Sequence, residues 1–96
     1  MVTPDRGEQT FDILIDARVK RRFRKLSGQN YNRIIDAIEG LKNNPTPHGC
    51  IKLKGGLEGF RIRVGNYRVL YKVDWQYRMV EVYYVLDRKE GYPLRM

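Results

Sequence analysis

The sequence is poor in the residues that staple or metallate a small protein. Its 96 residues include one cysteine, Cys50, and one histidine, His48. A lone cysteine excludes an internal disulfide and suits a reducing compartment. One histidine beside one cysteine falls short of the roughly four ligands that structural zinc takes, so neither a metal site nor a cofactor is expected. Apolar runs are short, and none approaches the roughly 20 residues that span a bilayer. The opening MVTPDRGEQT has no apolar core of the kind found in secretion signals. The expectation is a cytoplasmic protein without membrane contact. Repeats and low-complexity stretches are missing too, and the length allows one compact domain with a modest core.

Negative charge is also in short supply. Nineteen Lys and Arg face 11 Asp and Glu, a net charge of +8 with a pI near 9.9. In so small a domain this excess points to a polyanion, most often nucleic acid. An acidic protein partner would satisfy the same charge, as would a merely solvated basic surface.

Hydrophobic periodicity divides the chain. Residues 1–10 read as a flexible lead-in, and 11–96 as the domain. FDILI, at 11–15, reads as a short strand. Asp16 can cap a helix over DARVKRRFRKL, with Val19, Phe23 and Leu26 at helical spacing and Arg18, Arg21, Arg22 and Lys25 opposite. SGQN breaks it. A second helix follows, carrying Tyr31, Ile34, Ile35, Ile38 and Leu41 on one side until NNPTP stops it. From Ile51 the period becomes two. Phe60, Ile62 and Val64 share a face, as do Tyr67, Val69, Tyr71 and Val73, with Gly65-Asn66 between them as a tight hairpin turn. A third segment puts Val80, Val82, Tyr84 and Leu86 on one face. The fold class is α+β: an N-terminal strand, a helical hairpin, then a three-stranded antiparallel meander. The helices should cover one sheet face and leave the other partly open.

A turn at Gly65-Asn66 sets Arg63 directly opposite Arg68 and Arg61 opposite Leu70. Continued into the third strand, the register sets Val85 beside Arg68 and Glu81 beside Lys72. Like charges paired across strands cost a few tenths of a kcal/mol, which a bound anion would repay; long side chains that splay apart are the simpler alternative. The tail supplies Asp87, Arg88, Lys89 and Tyr92 at the same edge, and KLKGG brings Lys52 and Lys54 to the entry of the meander. Guanidinium groups grip phosphate oxygens bidentately. A tyrosine ring can stack on an unpaired base, or else simply pack against the end of the sheet.

These pieces together resemble the RelE/ParE superfamily of bacterial toxins, in particular its RelE-type mRNA interferases. The likeness runs from about residue 11 to 93. It is carried by the element order, by NPTPHGCIKLKGGLEGFRIRVGNYRVLYKV and by the closing VLDRKEGY. The resemblance implies a toxin of a type II toxin–antitoxin system that enters the ribosomal A site and cuts mRNA without metal. In that reaction a 2′-hydroxyl attacks the adjacent phosphate, leaving a 2′,3′-cyclic phosphate and a 5′-hydroxyl. It also implies an acidic cognate antitoxin that wraps the toxin. By motif, Arg68 corresponds to the arginine that clamps the scissile phosphate, Arg88 to the one on the leaving-group side, and Tyr92 to the terminal tyrosine that orients substrate. Arg61 joins them as a catalytic candidate; Lys52, Lys54, Arg63 and Lys89 are candidates for RNA binding.

Two departures stand out. Asp87 occupies a position where many relatives carry a histidine, and Arg61 replaces a lysine proposed as the base. A guanidinium is a poor base, so Lys54 and Glu58 remain open for that role. The alternatives are a ParE-like inhibitor of DNA gyrase, a branch in which the catalytic set is typically lost, and a non-catalytic basic module that binds nucleic acid.

Overall fold

Two short polar side chains start the helices in the computed structural model, which describes residues 10–91. Helix α1 (Ala17–Phe23) begins after Asp16, whose carboxylate accepts the Arg18 N–H at 2.8 Å. Helix α2 (Gly28–Gly40) begins after Ser27, whose hydroxyl oxygen accepts the Asn30 N–H at 3.2 Å. Each cap satisfies a donor that the first turn leaves without an intrahelical partner. Helix α1 is thus shorter than its basic, amphipathic run suggests. SGQN is also more than a break, because it holds the cap and first turn of α2.

Five strands follow from the remaining segments: β1 (Asp12–Ile15), β2 (Ile51–Lys52), β3 (Phe60–Val64), β4 (Tyr67–Asp74) and β5 (Met79–Asp87). They form one sheet in the order β1-β5-β4-β3-β2. Strands β3, β4 and β5 make the expected antiparallel meander. Strand β1 runs parallel to β5, with Asp12 opposite Met79 and Ile15 opposite Val82. The two-residue β2 adds an outer edge to β3, which periodicity alone does not reveal.

The helices lie over one sheet face. Val19 of α1 and Ile34, Ile38 and Leu41 around α2 are buried with Phe11, Ile62, Val69, Tyr71, Val80, Val82 and Val85 in a single cluster. Fully burying one such aliphatic side chain contributes roughly 1.5–3 kcal/mol, so this face holds the domain together. Tyr31 stays exposed, with an edge contact to Phe23, ring centroids 5.3 Å apart.

The β4–β5 ladder carries one irregularity with consequences for the site. Tyr71 lies opposite Val82, yet Leu70 lies opposite Tyr84, so Tyr83 has no partner on β4. An extra residue of this kind is a β-bulge, and it reverses the facing of everything beyond it. The expected inward set of β5 is therefore corrected: Val85 enters the core, whereas Tyr84 and Leu86 turn to the other face. Arg68 pairs with Leu86 rather than Val85, while Glu81 lies beside Lys72 as expected. That second face is also less open than expected, because Leu70 and Leu86 are buried on it at 0% and 2% exposure.

Candidate functional site

The β3–β4 turn assembles the arginines. Gly65 adopts φ +61°, and Asn66 is not among the residues at positive φ, the pattern of a two-residue hairpin turn with glycine at its first central position. Short turns of this kind fix the register. Val64 faces Tyr67, Arg63 faces Arg68 and Arg61 faces Leu70. The backbone N–H of Arg88 then donates to the Asn66 carbonyl oxygen at 2.6 Å, which brings the residue after β5 up against the same turn.

The result is a cleft of about 150 Å³ lined by Arg61, Arg63, Gly65, Asn66, Tyr67, Arg68 and Arg88. Four of the seven are arginines and none is acidic, so the cleft concentrates positive charge in a concave, partly desolvated place. Arg33 of α2 adds to it from the helical side, since a methyl group placed on Gly65 would come within 3.4 Å of the Arg33 guanidinium. Sequence reasoning overlooked Arg33 because an exposed helix arginine has nothing in its spacing to single it out.

Arg68 and Arg61 sit beside the buried leucines. Cross-strand neighbours on one face have Cβ atoms about 4.5–5.5 Å apart, and the partners are Arg68 with Leu86 and Arg61 with Leu70. Long guanidinium stems can cover such apolar surface while the charged heads stay in water. The Arg68 head is also anchored: its Nη2 donates to the carbonyl oxygens of Arg88 and Glu90, at 3.2 and 3.0 Å.

The other candidates lie elsewhere. Lys52 faces Phe60 across β2–β3 and so belongs to the opposite sheet face from Arg61. Lys54 is exposed in the loop before β3 and is not among the cleft residues. Lys89 lines a neighbouring groove with Arg22, Lys25, Leu26, Tyr67, Asp87 and Glu90. Tyr92 lies outside the described residues. Glu58 stands 3.9 Å from Lys72, which is four residues along β4 from Arg68, or roughly 13 Å at strand spacing.

Two perturbed groups lie away from the cleft. Hydrogen bonds from the Arg18 side chain and backbone hold the Asp16 carboxyl below its ordinary range. Burial pushes the Tyr83 phenol up, and its hydroxyl donates to the Glu58 carbonyl oxygen at 2.8 Å. Among the described residues no three His, Cys, Asp or Glu side chains are grouped to hold a metal ion. No helix there is long and apolar enough to cross a membrane.

Comparison with known proteins gives the family and the fold. The family model described as "ParE toxin of type II toxin-antitoxin system, parDE" matches residues 13–92. A relative from Methanocaldococcus jannaschii named "Putative toxin RelE1" is 34% identical over 84 residues, covering 84% of this chain and 92% of its own. The fold matches the archaeal RelE–RelB complex from Pyrococcus horikoshii with a TM-score of 0.73 at 24% identity, over 85% of this chain and 99% of that one. It also matches the intact E. coli RelBE toxin–antitoxin complex, with a TM-score of 0.71 at 21% identity, over 83% of this chain and 99% of the other.

Proposed function

Because the chain belongs to the RelE/ParE superfamily of type II toxin–antitoxin toxins, on the RelE side, we propose that its arginine cleft is the active site of an mRNA interferase that works on the ribosome. The observation that carries this reading is the facing pair Arg63 and Arg68, joined by Arg61 and Arg88 in one cleft without an acidic lining residue. Attack of a 2′-hydroxyl on the neighbouring phosphate builds a phosphorane bearing extra negative charge, and fixed donors aimed at that charge are the largest single source of rate.

Arg68 is the phosphate clamp, since its head is already anchored on two carbonyl oxygens. Arg63 pairs with Arg68 to bind the phosphate, and Arg61 helps to stabilise the charge of the equatorial oxygens. Arg88 acts at the leaving 5′-oxygen, and Tyr92 orients the substrate. Lys54 and Glu58, the two bases that the sequence offered, stand outside the cleft-lining set. The contribution assigned to the cleft is therefore positioning and charge stabilisation. Lys52, Lys54 and Lys89 serve RNA or ribosome association at a distance. The neutralising partner is an acidic cognate antitoxin that wraps the toxin; the archaeal RelE–RelB and E. coli RelBE structures are themselves complexes.

Primer extension on mRNA from cells induced for this protein tests the reading. Cuts inside translated codons are expected. The match to a ParE family model favours one rival, poisoning of DNA gyrase; intact message with DNA damage would establish it instead. Steeply salt-dependent RNA binding that leaves the RNA whole would indicate a non-catalytic module.

A further inference from the structure

The turn that carries Arg88 is bound on every side through groups other than the Arg88 side chain. Arg88 N–H reaches the Asn66 carbonyl oxygen, and Arg68 holds the carbonyl oxygens of Arg88 and Glu90 from β4. Within the turn, Glu90 N–H donates to the Asp87 carbonyl oxygen at 2.9 Å, and Lys89 N–H to Asp87 Oδ1 at 3.1 Å. The Glu90 carboxylate closes the arrangement. Its Oε1 accepts the Asp87 N–H at 2.9 Å and also pairs with Arg22 Nη2 of α1. Glu90 lines the neighbouring groove with Arg22 and Lys89, not the arginine cleft.

A carboxylate this close to a phosphate site would repel substrate if it faced the cleft. Here it is turned to α1 and its charge is met by Arg22. We propose that Glu90 and Arg22 are positioning residues: their ion pair latches the turn at 87–90 to α1 and so holds the Arg88 guanidinium over the cleft. This rests on the nuclease reading. The side chains of Arg22 and Glu90 are 27% and 44% exposed, and partly exposed pairs contribute little to global stability. The latch acts on geometry, where a displacement of about 1 Å can cost on the order of a hundredfold in rate.

The experiment measures single-turnover cleavage on programmed ribosomes and amide hydrogen exchange by NMR for the wild type, Glu90→Ala, Glu90→Gln, Arg22→Ala and the double variant Arg22→Ala with Glu90→Ala. Glu90→Ala should slow cleavage at saturating ribosomes by about ten- to a hundredfold with KM changed by less than about threefold, and should speed exchange at the Asp87 amide. Glu90→Gln keeps an acceptor for that amide and should lose less. Arg22→Ala should slow cleavage similarly, and in the double variant the two losses should combine to less than their product. An unchanged cleavage rate, an effect on KM only, or fully multiplicative losses in the double variant overturns the latch. If the wild type cuts nothing, the nuclease reading fails separately, and inorganic phosphate then probes the latch. Weaker phosphate binding in Glu90→Ala, read from the Arg88 side-chain resonances, would support it, and equal binding would overturn it.

Discussion

The phenol of Tyr71 donates a 2.7 Å hydrogen bond to the carbonyl oxygen of Pro45, joining the middle of β4 to the loop after α2 deep in the core. Tyr71→Phe removes the donor and leaves a buried carbonyl without a partner, at a cost of about 1–3 kcal/mol. Urea unfolding should show the midpoint falling with little change in slope.

The same burial, with Cys50 beside it, pushes the Tyr71 phenol well above the ordinary 10.0. A group whose folded pKa is raised stabilises fully below its unfolded value and loses that stability as pH climbs above it. The wild type should therefore weaken as pH rises past about 10, and Tyr71→Phe should show a smaller loss. Urea midpoints at about pH 8 and pH 10.5 compare the two, with Tyr83, also raised by burial, accounting for part of what remains.

Gly59, just before β3, should tolerate nothing larger. Its φ is +93°, and a methyl group there would stand 2.0 Å from the Tyr71 carbonyl oxygen. Gly59→Ala combines a strained backbone with a clash against main chain, so a loss of about 3 kcal/mol is expected. Thermal unfolding would read it directly, whereas Gly56→Ala, which meets nothing within 4 Å but also has positive φ at +92°, should cost less.

Arg68→Ala and Arg88→Ala should each reduce cleavage by on the order of a hundredfold or more, and toxicity on induction should vanish in the double variant. They should differ in stability. Arg88 contributes only its backbone to the turn, so its truncation should leave the melting temperature within a degree or two. Arg68 anchors two carbonyl oxygens and neighbours Leu86, and its loss should cost about 1 kcal/mol. Calorimetry on the two single variants separates these effects.

Much of this was legible in the sequence, and the limits have physical causes. Gly65-Asn66 defines a turn of known length, so the facing of Arg63 and Arg68 could be read from spacing alone. The facing of Val85 and Leu86 could not. Tyr83 and Tyr84 are adjacent aromatics of equal hydrophobicity, and nothing in their order marks which one leaves the ladder. Lys52 and Lys54 were grouped with the arginines by nearness in sequence, yet in a strand nearness says nothing about facing, and Lys52 points with Phe60. Glu90 lay in plain view within RKEGY, but a carboxylate that works by bonding backbone N–H groups carries no periodic signal.

Arg63→Ala and Arg61→Lys divide binding from chemistry. The first should weaken ribosome or RNA association and lower the salt-dependence slope by about one, leaving the single-turnover rate nearly unchanged. Arg61→Lys keeps charge and loses the bidentate grip. Equal or lower activity at all pH values identifies position 61 as electrostatic, and a gain at alkaline pH identifies it as a seat for the base. Rate–pH profiles of the two proteins decide it.

The parallel pairing of β1 with β5 also sets a timetable. Asp12 is made early and Met79 late, yet they are neighbours in the sheet. Contacts between such distant positions close slowly because the intervening chain must first be ordered. During synthesis, the first strand has no partner until β5 has emerged, and Arg88 emerges later still. A chain cut short before β5 would lack both the strand that joins β1 to the rest of the sheet and the arginine that completes the cleft. On the proposed function, an unfinished copy therefore lacks the cleft through which the protein would act.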